Sequence, residues 1–299
     1  MSELIVTHHK ANTDNSPYPA NSFEAVRASL EAGAAWIELD LQALQNGDYL
    51  ILHDDDLAHT SSGTGKASTT SSDALGDLFI KKDEQITPYR VPRLSELVRL
   101  FQDFGNNTRL QLDFKNFYPF PTDEPLQRLL DLIAPIKERV LVSSPSDWQL
   151  RKLKRLSPEL NVGFDIMLHF DLRDPSWKYP DHAPPYRQGA YGYHDDYMLS
   201  AMKIWSVRDY LQDRAEMLIH QVPDVRALFI SHRTLIHSLD DGFNWMDSAR
   251  HYGIDIAVWT VDVDNDYSMG NARRLKSAGF NHFISNTPLA LAEALSQDT

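Results

Sequence analysis

Short β-branched runs alternate with longer segments of helical period along this 299-residue chain, eight such runs can be counted, and the 42% hydrophobic content suffices for one large core. Together these observations predict an α/β fold, a TIM (β/α)8 barrel of parallel strands joined by helical crossovers. A small excursion follows the second strand, and the whole chain, 1–299, reads as a single barrel domain.

The first strand is expected over Leu4 to His8, followed by a proline-containing loop and a helix from about Ser22 to Ala32. Asn21 or Ser22 can cap that helix and Gly33 can stop it. WIELDLQ, Trp36 to Gln42, is the second strand, and after NGD the run YLILHD, Tyr49 to Asp54, pairs back as the excursion. His59 to Asp73 is rich in Ser, Thr and Gly and reads as a loop. Helix resumes over Pro92 to Phe104, with Leu94, Leu97, Val98 and Phe101 on one face, and RLQLDFK, Arg109 to Lys115, follows as strand. The remaining strands are Val140 to Ser144, Val162 to Ile166, Ala227 to Ser231, Asp255 to Val261 and His282 to Ser285. Helices are expected over Glu124 to Ile133, Ser146 to Leu156, Tyr197 to Ala215, Tyr267 to Ala278 and, after Pro288, over LALAEAL. The aromatic- and proline-rich stretch 168–197 is too long for an ordinary connection. It is expected to be an insertion that roofs a pocket or packs its aromatics against the barrel.

A formal charge of -13 opposes broad attraction to nucleic acid or anionic membrane, while leaving room for a local basic pocket. The absence of cysteine excludes disulfides, zinc-thiolate sites and a cysteine nucleophile, so any metal must be held by oxygen or imidazole. No basic, apolar leader and no transmembrane stretch are evident, which makes the cytoplasm the expected location; the oligomeric partner is left open, with a monomer as the working choice.

Glu38 and Asp40 lie two apart in a strand and share a face. At the carboxyl end of a barrel strand that face leads into the mouth, where two carboxylates suit one hard divalent cation, Mg²⁺ or Ca²⁺; solvated alternation is the plainer reading. Asp113 and Lys115 repeat the spacing, offering a third carboxylate and a cation for phosphate oxygen, or else a buried structural ion pair. His8 and His53 end their runs near the same mouth and suit acid and base work, a metal or a local backbone acceptor.

An ordered series resembles the glycerophosphodiester phosphodiesterase family: THHK near residue 7, NSFEAVRASLEAGA, WIELDLQALQNGDYLILHDDDL, VPRLSEL, LQLDFK, VWTVD and GFNHFISNTP. The resemblance implies that His8 and His53 are the acid/base pair, that Glu38, Asp40 and Asp113 hold the metal, and that Lys115 faces phosphate. It further places Trp259 at the substrate mouth. Asp113 stands where the family usually has Glu, and Asp-x-Lys is shared with the related sphingomyelinase D group. At HHK, His8 to Lys10, the family has His-Arg-Gly; His9 cannot copy the phosphate-binding guanidinium, whereas Lys10 restores a cation. Ala20 replaces the Glu of Glu-Asn-Thr, and Asn286 stands where Asp is common.

The implied reaction is metal-dependent hydrolysis of a small glycerophosphodiester to an alcohol and glycerol phosphate, either directly or through a cyclic phosphate. A lysophospholipase D or sphingomyelinase D-like transesterase acting on lysophospholipid is one alternative. A non-catalytic phosphate-binding barrel is another, motivated by the departures at His9, Lys10, Ala20 and Asn286.

Overall fold

The computed structural model describes residues 3–14, 16–104, 107–172, 194–195, 197–202 and 204–297. Eight parallel strands form its centre: β1 (Ile5–His8), β2 (Trp36–Ala43), β3 (Arg109–Phe114), β4 (Val140–Ser144), β5 (Asn161–Asp165), β6 (Ala227–Ser231), β7 (Asp255–Trp259) and β8 (His282–Ser285). Each pairs with its neighbour in sequence, and β1 pairs with both β2 and β8, so the sheet closes on itself. The predicted (β/α)8 barrel is therefore the fold.

The helices are α1 (Phe23–Glu31), α2 (Leu94–Phe104), α3 (Glu124–Ile133), α4 (Asp147–Leu156), α5 (Val207–Gln221), α6 (His232–Asp240), α7 (Trp245–Tyr252), α8 (Asp266–Ser277) and α9 (Pro288–Gln297). Their apolar faces pack on the outward side chains of the strands, including Ile37, Leu39, Leu110, Leu112, Val142 and Phe283. Ser22 caps α1, its hydroxyl accepting from the Ala25 amide at 3.0 Å. Inside the barrel, Leu141, Ala227, Phe229, Ala257 and Ile284 fill the lumen with Trp36 and Trp259 against them. Gly163 makes this layer possible, because a Cβ there would sit 2.3 Å from the Phe229 ring.

Several boundaries differ from expectation for identifiable reasons. The excursion pairs only Tyr49–Leu50 with Ala43 and Gln42; beyond it, Ile51 and Leu52 donate to the carbonyls of Pro92 and Asp40. The stretch from His59 carries a turn of helix at Leu57–Thr60, and an antiparallel hairpin, Phe79–Lys82 with Gln85–Arg90, follows. Its two turn residues, Asp83 and Glu84, both hold positive φ without glycine or asparagine to announce it. Helix α5 starts at Val207, where Ser206 accepts from the Asp209 amide, ten residues beyond the expected Tyr197. The connection from β6 to β7 holds two helices, α6 and α7, neither of them expected from periodicity. Of the expected insertion, 173–193 lies outside the described residues; at its edges Phe170–Asp171 pairs with His194–Asp195. Among the described residues no helix is long and apolar enough to cross a membrane.

Candidate active site

The inward residues near the carboxyl end of β2, Glu38 and Asp40, meet Asp113 of β3, which pairs directly across from Asp40. One oxygen from each of the three carboxylates lies within 4.8 Å of the others. Lys115 reaches down from the end of β3, with Nζ 2.5 Å from Asp113 Oδ2 and 3.1 Å from Asp40 Oδ1. Lys10 approaches Asp40 Oδ2 at 3.3 Å. Asn21 Nδ2 donates to that same oxygen at 2.8 Å, and the Ser143 hydroxyl donates to Asp113 Oδ1 at 3.1 Å. All of the predicted metal-binding side chains and Lys115 thus come together.

The predicted histidines divide. His53 lines the mouth, its Nδ1 held by Asp54 Oδ1 at 2.9 Å and its carbonyl accepting from Gln42 Nε2. His8 does not join it. Strand alternation turns Thr7 into the lumen, toward His282, and His8 out toward α1, where its Nδ1 donates to Ser29 Oγ at 3.1 Å. His9, one residue later, faces the cluster, with Nε2 3.8 Å from Glu38 Oε2. The His-Arg-Gly correspondence therefore shifts by one: His9 stands in the histidine position, Lys10 in the arginine position and Ala11 in the glycine position. The backbone supports this frame, since Lys10 and Ala11 both hold left-handed φ, 52° and 57°. That turn aims the Lys10 amide at Glu38 Oε2, 2.8 Å away.

The tautomer of His9 follows from its partners. The Asp262 carboxylate accepts from Asn286 Nδ2 at 2.9 Å and from the Asn286 amide at 2.7 Å, so Asn286 must present Oδ1 to His9. His9 Nδ1 then carries the proton, donated to Asn286 Oδ1 at 2.8 Å, and Nε2 offers its lone pair to the mouth. Burial and the Lys10 charge lower its pKa to about 4, which keeps the ring neutral near pH 7. Asn286, read from the sequence as standing where Asp is common, and Asp262, given no role of its own there, together orient a histidine.

A cavity of about 190 Å³ joins these groups to the opposite wall, formed by Asp165, Met167, Phe229, Trp259 and Ile284. Trp259 lines this wall and packs against the lumen core. Asp165 was missed, although its signal was available: Gly163 faces the lumen, and Asp165 stands two residues further on the same face.

The electrostatics ask for a further cation. Burial and the charges of Asp40 and Asp113 push Glu38 up to about 8. Burial also works against ionised Asp40, but Lys115 and Lys10 more than offset it and hold its carboxyl well below the usual range. Asp40 Oδ1 is buried, with the Lys115 ammonium 3.1 Å away as its ion-pair partner. Three hard oxygen donors, one of them short of positive charge, fit one divalent cation such as Mg²⁺ or Ca²⁺ and exclude a thiolate-seeking metal.

The model of the glycerophosphoryl diester phosphodiesterase family matches residues 9–290, beginning at His9. A glycerophosphodiester phosphodiesterase of Caldanaerobacter subterraneus is 29% identical over 167 residues, 54% of this chain and 66% of the relative. One from Bacillus altitudinis is 28% identical over 149 residues, 48% of this chain and 60% of the relative. The chain thus matches somewhat less than two thirds of the length of either relative. An Oleispira antarctica phosphodiesterase, solved in complex with the product sn-glycerol-3-phosphate, shares the fold with a TM-score of 0.63 and 18% identity, over 98% of this chain and 96% of that one. With a match across nearly its whole length, this chain belongs to the glycerophosphoryl diester phosphodiesterase family.

Proposed function

We propose that this chain, acting as one domain, hydrolyses a small glycerophosphodiester to glycerol phosphate and an alcohol with the help of one divalent cation. The observation that carries the reading is the three-carboxylate cluster with Lys115 on one side and two histidines, His9 and His53, at its rim. Glu38, Asp40 and Asp113 would hold the cation, which supplies a positive charge for the phosphoryl oxygens when bound. Lys115 and Lys10 add to that field as charge accumulates on the oxygens in the transition state.

His9, neutral with Nε2 open, takes the proton from the glycerol hydroxyl beside the phosphate. That oxygen bonds to phosphorus, the bond to the alcohol oxygen breaks, and His53 supplies the proton that the departing oxygen needs. Asp54 holds the His53 ring for this transfer, and its half-exposed position lets it regain a proton from water. Water then opens the cyclic phosphate with the two roles exchanged. The internal hydroxyl is favoured as first nucleophile because it is already tethered beside phosphorus.

A second reading, release of the cyclic phosphate from a lysophospholipid or sphingomyelin-like substrate, draws support from the short Asp113-x-Lys115 pair. A metal-supplemented panel of glycerophosphodiesters, lysophospholipid and sphingomyelin, read by mass spectrometry, separates the two. Glycerol phosphate as end product supports hydrolysis, and accumulating cyclic phosphate supports the second reading. No turnover with Mg²⁺, Ca²⁺, Mn²⁺ or Zn²⁺ would leave a binding barrel and refute both.

A further inference from the structure

A cavity of about 360 Å³ opens at the opposite end of the barrel, among the residues that begin the strands. Arg109 begins β3, Arg139 immediately precedes β4, Asn161 begins β5 and Arg226 immediately precedes β6. All four line the cavity, so one arc of its rim carries three guanidinium groups and an amide. The register makes the arc continuous, since Leu110 pairs with Val140, Leu141 with Asn161 and Gly163 with Ala227. A chain with a formal charge of -13 thus gathers three cations around one cavity.

The three arginines differ in what already holds them. Arg139 donates to the Phe101 carbonyl at 2.6 Å. Arg109 has its guanidinium carbon 5.4 Å from the centre of the Trp36 ring, which steadies the fork while leaving its N–H groups unused. Among the described residues neither Arg109 nor Arg226 forms an ion pair or a side-chain hydrogen bond. The two acids of the cavity do not answer them: Asp255 Oδ2 accepts from His282 Nδ1 at 2.5 Å, and Glu138 pairs with no cation among the described residues.

Beneath this rim the cavity is apolar. Leu141 and Phe229 are buried in its floor, and Trp36 stands half-buried in its wall. Phe229 also lines the mouth, so the two cavities lie back to back across the lumen layer, and none of Glu38, Asp40 and Asp113 reaches the lower one. Two uncommitted guanidinium forks above an apolar floor suit an anion of about two charges, and a phosphomonoester carries that charge with oxygens spaced for bidentate contact.

We propose that this cavity is a second ligand site, for a small phosphomonoester with a planar apolar body. Arg109 and Arg226 take the phosphate, Arg139 and Asn161 complete the rim, and the body rests on Trp36, Leu141 and Phe229. The site stands apart from the phosphodiesterase reading above and holds whether or not the mouth turns over a diester.

The test is calorimetric titration of the intact protein with phenyl phosphate at pH 8 and with EDTA present, which keeps the mouth free of its cation. Arg226→Gln and Arg109→Gln should each weaken binding about tenfold or more, Arg226→Lys should lose less because it keeps the charge without the fork, and Lys10→Gln at the mouth should change nothing. Benzoate, with one charge, and inorganic phosphate, with no apolar body, should each bind about tenfold more weakly than phenyl phosphate. The Trp36 indole N–H resonance, assigned by its loss in Trp36→Phe, should shift on titration of the intact protein, a reading that needs no arginine variant. Absence of binding, a Trp36 resonance that does not move, or binding weakened by Lys10→Gln but not by the arginine substitutions overturns the site. Benzoate or inorganic phosphate binding as tightly as phenyl phosphate overturns the ligand class.

Discussion

At the amino-terminal end of the barrel, His282 is fully occupied: Nδ1 donates to Asp255 Oδ2 at 2.5 Å, Nε2 accepts from the Thr7 hydroxyl at 2.8 Å, and the ring lies 5.7 Å from that of Trp36. At the carboxyl-terminal end, His9 has one nitrogen held by Asn286 and the other facing a carboxylate at 3.8 Å, beyond hydrogen-bond reach. Both ends contain a histidine, an acid and a tryptophan. The lower set satisfies its own polar atoms, whereas the upper leaves a lone pair on His9 and a crowded Glu38 for something that binds. Incomplete satisfaction, rather than the presence of polar residues, distinguishes a working mouth from a structural plug.

The sharpest way to break this comparison is to remove the histidines one at a time. His9→Ala and His53→Ala should each lower kcat by about 10²–10⁴ while leaving the thermal midpoint nearly unchanged, as general acid–base partners do. His8→Ala, which removes a ring packed against Ser29, should instead cost stability and retain turnover per folded molecule. Steady-state rates set against circular-dichroism melts decide; a His8 variant as inactive as the His9 variant would restore His8 to the mouth.

Removal of a carboxylate comes next. Asp113→Asn should abolish most metal activation and most of the thermal stabilisation by Mg²⁺ or Ca²⁺, since a cation binding only the native state raises stability with its concentration. Calorimetric scans with and without the ion measure this, and an unaltered metal response would remove Asp113 from the ligand set.

Asn286→Ala should act more mildly, lowering kcat about tenfold with little change in KM, because it frees the His9 ring without deleting it. Asn286→Asp, by placing a charge on Nδ1, should stabilise imidazolium and move the acid limb of the rate profile to higher pH. A profile that does not move would mean that the hydrogen bond at 2.8 Å is not formed in the working enzyme. At the opposite end, His282→Ala should cost about 1–3 kcal/mol by stranding Thr7 and Asp255, with catalysis by the folded fraction intact.

The smallest effect concerns pH. His9 and His8 are both lowered to about 4 from 6.5, so the unfolded chain binds more protons between those values, and stability should fall as pH drops through that window. Glu38 is shifted the other way, from 4.5 to about 8, so without metal the native state gains from its proton at low pH and loses that gain as pH rises toward 8. Metal, which favours the ionised carboxylate, should therefore stabilise more at pH 8 than at pH 6. Melts over this range check the sign, and Glu38→Gln should flatten the difference.

Much of this was open to a reading of residues in order. Two-residue spacing alone put Glu38 with Asp40 and Asp113 with Lys115 on common faces, because strand side chains alternate strictly, and the run of eight strands required closure into a barrel. Ser22 announced its cap, and Trp259 its wall. The hairpin after the excursion escaped because its turn residues adopt positive φ against their own preference, which only the pairing of Phe79–Lys82 with Gln85–Arg90 compensates.

The composition, the period of two and the ordered motifs thus determined the barrel and its three carboxylates. Which histidine of the pair faces the mouth, how Asn286 and Asp262 set its tautomer, and that Asp165 faces the same cavity were decided only in three dimensions. The physical reason is register: a shift of one residue turns a strand side chain from lumen to helix layer, and Thr7 meeting His282 across the lumen is what sends His8 outward and leaves His9 at the mouth.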